Sequence, residues 1–322
     1  MSGPVYVIGC PRSGNTLLGA ILNKHPDVFI LFEANTFSDI YRRTCNISGM
    51  PRENFVQVVS SAFQNYHKKL DIGLDEFHVH IGQGSNWGEM FDSYMRLLMS
   101  RAKPDAKIWG DKTPHHLGNI EHILQVYPNA RFIYTYRDPR DVVNSLSKPS
   151  FTPATQNKMQ NAFVVRQYLE VYHQKKPHIP PEQLLEIRYE EFVEDYEGII
   201  KSICSFLQID YIPALLEPAD NRIREIIGWP NDKAWGRVAP QKGAIKDDSS
   251  DLVGIYLSDW LWRQGYTENY VSHTSYWQIR AKSAVLPKQL LYGLYGLYWR
   301  TKYPGFPLLL LKLPYLQKGR KR

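Results

Sequence analysis

PVYVIGCPRSGNTLLGAIL, residues 4–22, decides the fold. Pro4–Gly9 is apolar and short, as a buried strand is. A Gly/Pro/Ser loop follows it, and a helix-like run extends from about Gly14 to Lys24. Strand, tight loop and helix in that order open an α/β unit. The loop itself, GCPRSGNT, matches the phosphate-loop spacing GxxxxGK[ST] at Gly9, Gly14 and Thr16, with Asn15 at the lysine position. Small residues let the main chain approach an anion, and successive N–H groups at a helix start supply donors. Thr16 adds a hydroxyl and Arg12 a positive charge. The lysine that would reach a β/γ-phosphate is missing. So is a strand ending in a magnesium-holding aspartate, because the best candidate ends Tyr136-Arg137-Asp138. The loop is therefore expected to hold a terminal phosphate without a metal, which disfavours a nucleoside triphosphatase. A glycine-rich turn with no ligand is the alternative.

Working outward, Val28–Phe32 is a second apolar run after the turn signal His25-Pro26-Asp27. Residues 35–105 read as mostly helical, with amphipathic stretches near Phe55–Leu70 and Met90–Arg101 and a Gly-rich break at Gly82–Gly88. Lys107–Trp109 is predicted as a short strand, Leu117–Tyr127 as a helix and Arg131–Tyr136 as a strand. Pro139 suits a first helical position. Leu184–Ile187 reads as a strand and Tyr196–Leu207 as a helix. The alternation predicts an α/β fold of P-loop-like, three-layer type, with a central, mainly parallel sheet flanked by helices. With 322 residues, 43% hydrophobic and 22% charged, the chain has an ordinary globular balance. One domain is expected over 1–280, its donor-site motifs within 4–210, followed by a tail over 281–322.

Charge separates the same two parts. Residues 280–322 carry ten of the 39 basic residues and no acidic one, which leaves 29 basic against 32 acidic in residues 1–279. A body of that balance does not suggest a nucleic-acid partner. Cys10, Cys45 and Cys204 have no metal-type or redox-type spacing and read as reduced thiols. The first strand starts at Pro4–Val5, so if Met1 is the true start a cytoplasmic location is expected. A Golgi-lumen location would require an anchor upstream. With a cytoplasmic location, the triplet Asn46-Ile47-Ser48 is a chance match to a glycosylation sequon.

Several motifs together resemble the PAPS-dependent sulfotransferases, especially the branch of tyrosylprotein sulfotransferases and many bacterial enzymes. They are PRSGNTLL at 11–18, HPDV at 25–28 followed by Glu33, DKTP at 111–114, RFIYTYRDPRDVVNSL at 131–146 and RYEEFVEDYEGIIKSICSFL at 188–207. The resemblance spans residues 4 to about 210 and fades beyond about 215. It implies that Arg12, Ser13, Gly14, Asn15, Thr16 and Leu17 hold the donor's 5′-phosphosulfate. It further implies that Arg137 and Ser145 hold its 3′-phosphate and that Tyr189 lies near the adenine and 3′-phosphate end. Lys112 would sit on the sulfuryl group in flight, and Glu33 would take the acceptor's proton. Local chemistry agrees: Arg137 ends a strand, where ligands of open α/β sheets gather, and an arginine fork with a hydroxyl suits phosphate. A strand-end ion pair of Arg137 with Asp138 or Asp141 is the competing role.

Sulfuryl transfer resembles phosphoryl transfer, with in-line attack and charge spread over equatorial oxygens. Lys112 is a compact cation that can follow the bridging oxygen. Glu33 is favoured as general base over His115, which also follows Lys112 closely and needs little tuning to act at neutral pH. No divalent metal is expected; PAPS is the expected donor and PAP the product. The rival function is a P-loop-type nucleotide kinase or phosphotransferase. The acceptor is expected to offer a hydroxyl on a glycolipid or saccharide, a small molecule or a peptide tyrosine. Trp87, Trp229 and Trp235 are candidates for stacking on it, with core packing as the plainer role. RVAPQKGAIK at 237–246 could supply late donor contacts.

The tail combines LLYGLYGLYW at 290–299 and FPLLLL at 306–311 with Arg300, Lys302, Lys312, Lys318, Arg320, Lys321 and Arg322. Neither run reaches the roughly 18 residues of a spanning helix. Aromatic, leucine and basic residues together suit peripheral contact with an anionic membrane, and a terminal helix docked on the domain is the alternative. The chain is expected to sediment with anionic liposomes and to lose that binding on deletion of residues 281–322. Equal binding by both forms would refute it.

Overall fold

Five segments form strands: β1 (Val5–Gly9), β2 (Val28–Phe32), β3 (Ile108–Lys112), β4 (Arg131–Tyr136) and β5 (Leu184–Arg188). They join in one sheet of order β2-β3-β1-β4-β5, parallel and flanked by helices as expected. The computed structural model describes residues 3–45, 52–81, 84–147, 157–217 and 252–266. Trp229, Trp235, the 237–246 stretch, the 46–48 triplet and the 281–322 tail lie outside them.

All residues of β1, β2 and β3 are buried. A strand covered on both faces reads as an unbroken apolar run, which is how VYVIG and VFILF appear in sequence. β3 (IWGDK) breaks that rule with Asp111 and Lys112, so its pattern ends early at Trp109 although the strand continues. In register, Phe32 of β2 and Val7 of β1 both lie beside Lys112, and Leu31 and Tyr6 lie beside Asp111.

The helices are α1 (Asn15–Leu22), α2 (Tyr41–Thr44), α3 (Arg52–Ala62), α4 (Gln64–Leu70), α5 (Leu74–Ile81), α6 (Trp87–Ala102), α7 (Ile120–Val126), α8 (Pro139–Leu146), α9 (Lys158–Lys175), α10 (Tyr189–Glu194) and α11 (Tyr196–Leu207). Two short helices follow, Leu252–Tyr256 and Ser258–Arg263. A π turn, Thr36–Ile40, leads into α2, and a 3₁₀ turn, Pro114–Asn119, leads into α7. The stretch expected as one helix over 55–70 is two, because Phe63 leaves helical geometry between α3 and α4. The helix expected from Leu117 begins at Ile120, its first turn being part of the 3₁₀ segment. Starts follow local chemistry: Asn86 caps α6 through Glu89 N, and Asp138 caps α8 through Arg140 N with Pro139 at the first position. α9 escapes the sequence pattern because its buried residues, among them Ala162, Phe163, Val164 and Val165, run around the helix rather than down one stripe.

The chain divides into two units. The first comprises Met1–Ile8, Gly14–Thr135 and His178–Gln241; the second comprises Gly9–Ser13, Tyr136–Pro177 and Lys242–Arg322. In the first, Val5, Val7, Leu18, Ile21, Ile30 and Ile203 belong to one apolar core. The turn between α1 and β2 is tied by Lys103, whose ammonium donates to the carbonyls of Asn23 (2.8 Å) and Val28 (2.7 Å). In the second, Arg166 of α9 forks onto both carboxylate oxygens of Asp259 at 2.8 Å and also donates to the Tyr256 carbonyl. A bidentate, mostly buried pair of this kind fixes orientation. Among the described residues, no helix is long and apolar enough to cross a membrane. None of the three cysteines is in a disulfide.

Gly110 sits at a close approach within the sheet. A Cβ there would lie 2.3 Å from the Val5 carbonyl oxygen and 2.6 Å from Ile30 Cδ1. Gly110→Ala is expected to destabilise the chain by about 1–3 kcal/mol, the usual cost of overpacking. A urea midpoint equal to that of the native chain would contradict this.

Candidate active site

The loop after β1 turns on two left-handed positions, Arg12 (φ 75°) and Gly14 (φ 99°). Gly14 must be glycine for two reasons. Its φ disfavours any side chain, and a Cβ would press to 2.8 Å against the Tyr189 ring. Tyr189, buried at the start of α10, thus backs directly on the loop. Gly14 is also the first residue before α1, so the opening N–H groups of Asn15, Thr16 and Leu17 lie at a helix start. The Asn15 side chain is buried and accepts a hydrogen bond from the Thr135 hydroxyl near the end of β4. Leu17 belongs to the apolar core. Ser13 is buried and its N–H donates to the Cys10 carbonyl at 3.2 Å.

At the carboxyl ends of β2 and β3 the first unit brings together Glu33 and Lys112. Their side chains meet at 3.0 Å, with Lys112 1% and Glu33 46% exposed. Burial pulls the Lys112 ammonium below its ordinary range, and Glu33 and Asp111 oppose that pull. The ammonium also lies 5.0 Å from the centre of the Phe32 ring. Glu33 and Asn35 are both left-handed, at φ 50° and 55°. For a glutamate such a position costs of order 1–2 kcal/mol, less for asparagine, and such strained positions tend to mark functional sites.

The two histidines after Lys112 part company. His116 is fully buried and bonds through Nε2 to Asp111 at 2.7 Å. His115 is partly exposed, and its imidazole is pushed down from 6.5 to about 3 by desolvation, then by His116, Lys112 and Arg42. Arg42 is held by Asn119 at 3.1 Å and is itself lowered to about 10 by burial.

In the second unit, Arg12 donates from Nε to the Ser145 hydroxyl at 2.9 Å, joining loop and α8. Arg137 pairs with Asp141 at 2.7 Å, one of the two partners anticipated for it. Trp87 is no acceptor platform: it is buried, stacked on Phe91 at 4.8 Å, and donates to the Thr44 hydroxyl. Sequence reading missed Asp111, on which Thr36, Thr113 and His116 gather. The available signal was the charged end of an otherwise apolar strand.

A model of the sulfotransferase family matches residues 4–213 of the chain. A Mycobacterium bovis omega-hydroxy-beta-dihydromenaquinone-9 sulfotransferase is 27% identical over 262 residues, covering 66% of this chain and 65% of its own. A Drosophila melanogaster protein-tyrosine sulfotransferase is 22% identical over 230 residues, covering 70% and 41%. The chain thus spans less than two thirds of the length of both. Among solved structures, the sulfotransferase domain of the Synechococcus PCC 7002 olefin synthase superposes with a TM-score of 0.53 at 20% identity, over 81% of this chain and 96% of that one. At that identity the likeness speaks for the fold.

The depressed imidazole of His115 has a consequence for stability. Between about pH 6.5 and 3 the unfolded chain holds a proton there that the folded chain does not, so unfolding takes up a proton. This contribution lowers stability as the pH falls through that window. His115→Gln removes it, and the variant's urea midpoint should drop less between pH 7 and pH 5 than that of the native chain. Identical drops would show that the ring is not held neutral.

Proposed function

The chain belongs to the sulfotransferase family, and from that membership we infer that it moves a sulfuryl group from PAPS to an acceptor hydroxyl by in-line displacement. The observation that carries the reading is the Lys112–Glu33 pair, a buried cation bonded to a half-exposed carboxylate at the ends of adjacent parallel strands. Donor chemistry and residues fit. The loop is bare of a side chain at Gly14, and α1 opens with its N–H groups there. PAPS brings a sulfuryl group on a phosphate leaving group.

In this reading the N–H groups from Asn15 to Leu17, with Arg12, Ser13 and Thr16, bind the 5′ end. Arg137 and Ser145 bind the 3′-phosphate, and Tyr189 backs the loop beside the nucleotide. Glu33 accepts the hydroxyl proton. Once protonated, it no longer competes for the Lys112 ammonium, which is then available to donate to the bridging oxygen as charge builds there. His115 suits the base role poorly: a group resisting protonation down to about 3 has little drive to take a proton at neutral pH. No divalent ion enters these steps. The rival kinase reading lacks support from the loop, whose lysine position is an asparagine turned toward Thr135.

The two relatives are named for a protein tyrosine and for an omega-hydroxylated dihydromenaquinone, and a hydroxyl acceptor is proposed here too. Radiolabelled PAPS offered to pools of peptides, glycolipids, saccharides and small phenols should mark one class. With that acceptor, Lys112→Ala should lose about a hundredfold or more in kcat. Glu33→Gln should also lose kcat heavily while binding PAP normally, and His115→Ala should keep most of its activity. Near-normal turnover by Lys112→Ala would refute its role. Magnesium-dependent ATP turnover without PAPS activity would overturn the whole reading.

A further inference from the structure

Asp111 lies in β3 between Leu31 of β2 and Tyr6 of β1, and none of its surface is exposed. A buried carboxylate is retained only where partners compensate its lost hydration. Its partners come from three segments. The Thr113 hydroxyl donates to Oδ1 at 2.7 Å. The Thr36 hydroxyl donates to Oδ2 at 2.8 Å, and His116 Nε2 meets the same oxygen at 2.7 Å. Thr36 and His116 are also within 3.1 Å of each other. These interactions hold the carboxylate low, against the upward push of its burial.

Thr36 is three residues beyond Glu33, and the backbone between them is anchored at both ends to β3. Glu33 N–H donates to the Lys112 carbonyl at 2.9 Å. Asn35 N–H reaches the Thr113 hydroxyl at 3.4 Å, and the Asn35 amide donates to the Glu33 carbonyl at 2.8 Å. The two left-handed residues, Glu33 and Asn35, lie inside this anchored span. Asparagine tolerates such a backbone, but glutamate does not take it by steric preference, so at Glu33 the surroundings impose it. The result is a carboxylate turned onto the Lys112 ammonium.

We propose that Asp111, Thr36, Thr113 and His116 form a buried clamp whose role is to position Glu33 against Lys112, which makes Asp111 a positioning residue for sulfuryl transfer. All four are fully buried, so none touches substrate. They act through the two residues that do, and the catalytic half of the proposal rests on the sulfotransferase reading above.

Thr36→Val tests it, because it keeps the branched shape and deletes the hydroxyl. The expected crystal structure has Glu33 and Lys112 separated beyond about 3.5 Å, out of hydrogen-bond reach. PAP affinity by calorimetry should stay within about twofold, and kcat for transfer from radiolabelled PAPS to the acceptor class found in the pool screen should fall about tenfold or more with KM for PAPS unchanged. Thr36→Ser should restore both distance and rate. Thr113→Val carries the same expectation should Thr36→Val fail to fold. A folded variant that keeps the Glu33–Lys112 contact and native kcat overturns the proposal. So does one that loses PAP affinity and turnover in proportion, since that is the mark of a general folding role. Absence of transfer from PAPS to any acceptor pool by the native chain would refute the sulfotransferase reading, while the Glu33–Lys112 distance in the variants would still decide the clamp.

Discussion

A lysine ammonium almost wholly removed from water must have a charged partner, and the ends of β2 and β3 are arranged around that need. Parallel register sets Phe32 beside Lys112, so the next residue, Glu33, leaves the sheet where the ammonium emerges. Leaving in that direction takes a left-handed backbone, and a left-handed backbone takes anchors. Thr36, Thr113 and His116 gathered on Asp111 supply them. The apolar core beneath is ordinary, and the unusual chemistry is confined to the last two residues of one strand.

On the proposed function, the loop after β1 faces the complementary problem of meeting an anion. Its spacing is that of a triphosphate loop, yet the usual lysine position is an amide turned toward Thr135. In the proposed reading, positive charge comes instead from Arg12 and from Lys112 at the end of β3. Moving the cation from loop to strand suits transfer of a group at the donor's end, where charge must be met at the bridging oxygen rather than spread along a polyphosphate.

Much of this was legible in the sequence. β1, β2 and β4 show as apolar runs because both faces of a central parallel strand are covered. The glycines of the loop and the proline opening α8 show because backbone geometry restricts the residues that fit. Glu33, Lys112, Arg137 and Ser145 came from family motifs rather than from periodicity. The rest was hidden for identifiable reasons. Asp111 and Lys112 look like solvated residues until the register buries them. Thr36 lies in a segment with no period, and its significance depends on a carboxylate 75 positions away. α9 presents apolar residues on every side, so no stripe announces it. His115 and His116 are adjacent and identical in sequence, and only packing tells the buried ligand of Asp111 from the partly exposed neighbour.

The unequal exposure of the ion pair makes its two halves unequal toward reagents. A carbodiimide approaching from solvent can reach the Glu33 carboxylate, whereas an acylating reagent has no path to an ammonium with 1% of its side chain exposed. Whatever occupies the space over Glu33 shields the single accessible member of the pair. If Glu33 has its proposed role, carboxylate labelling becomes a footprint of acceptor binding that needs no turnover to be read.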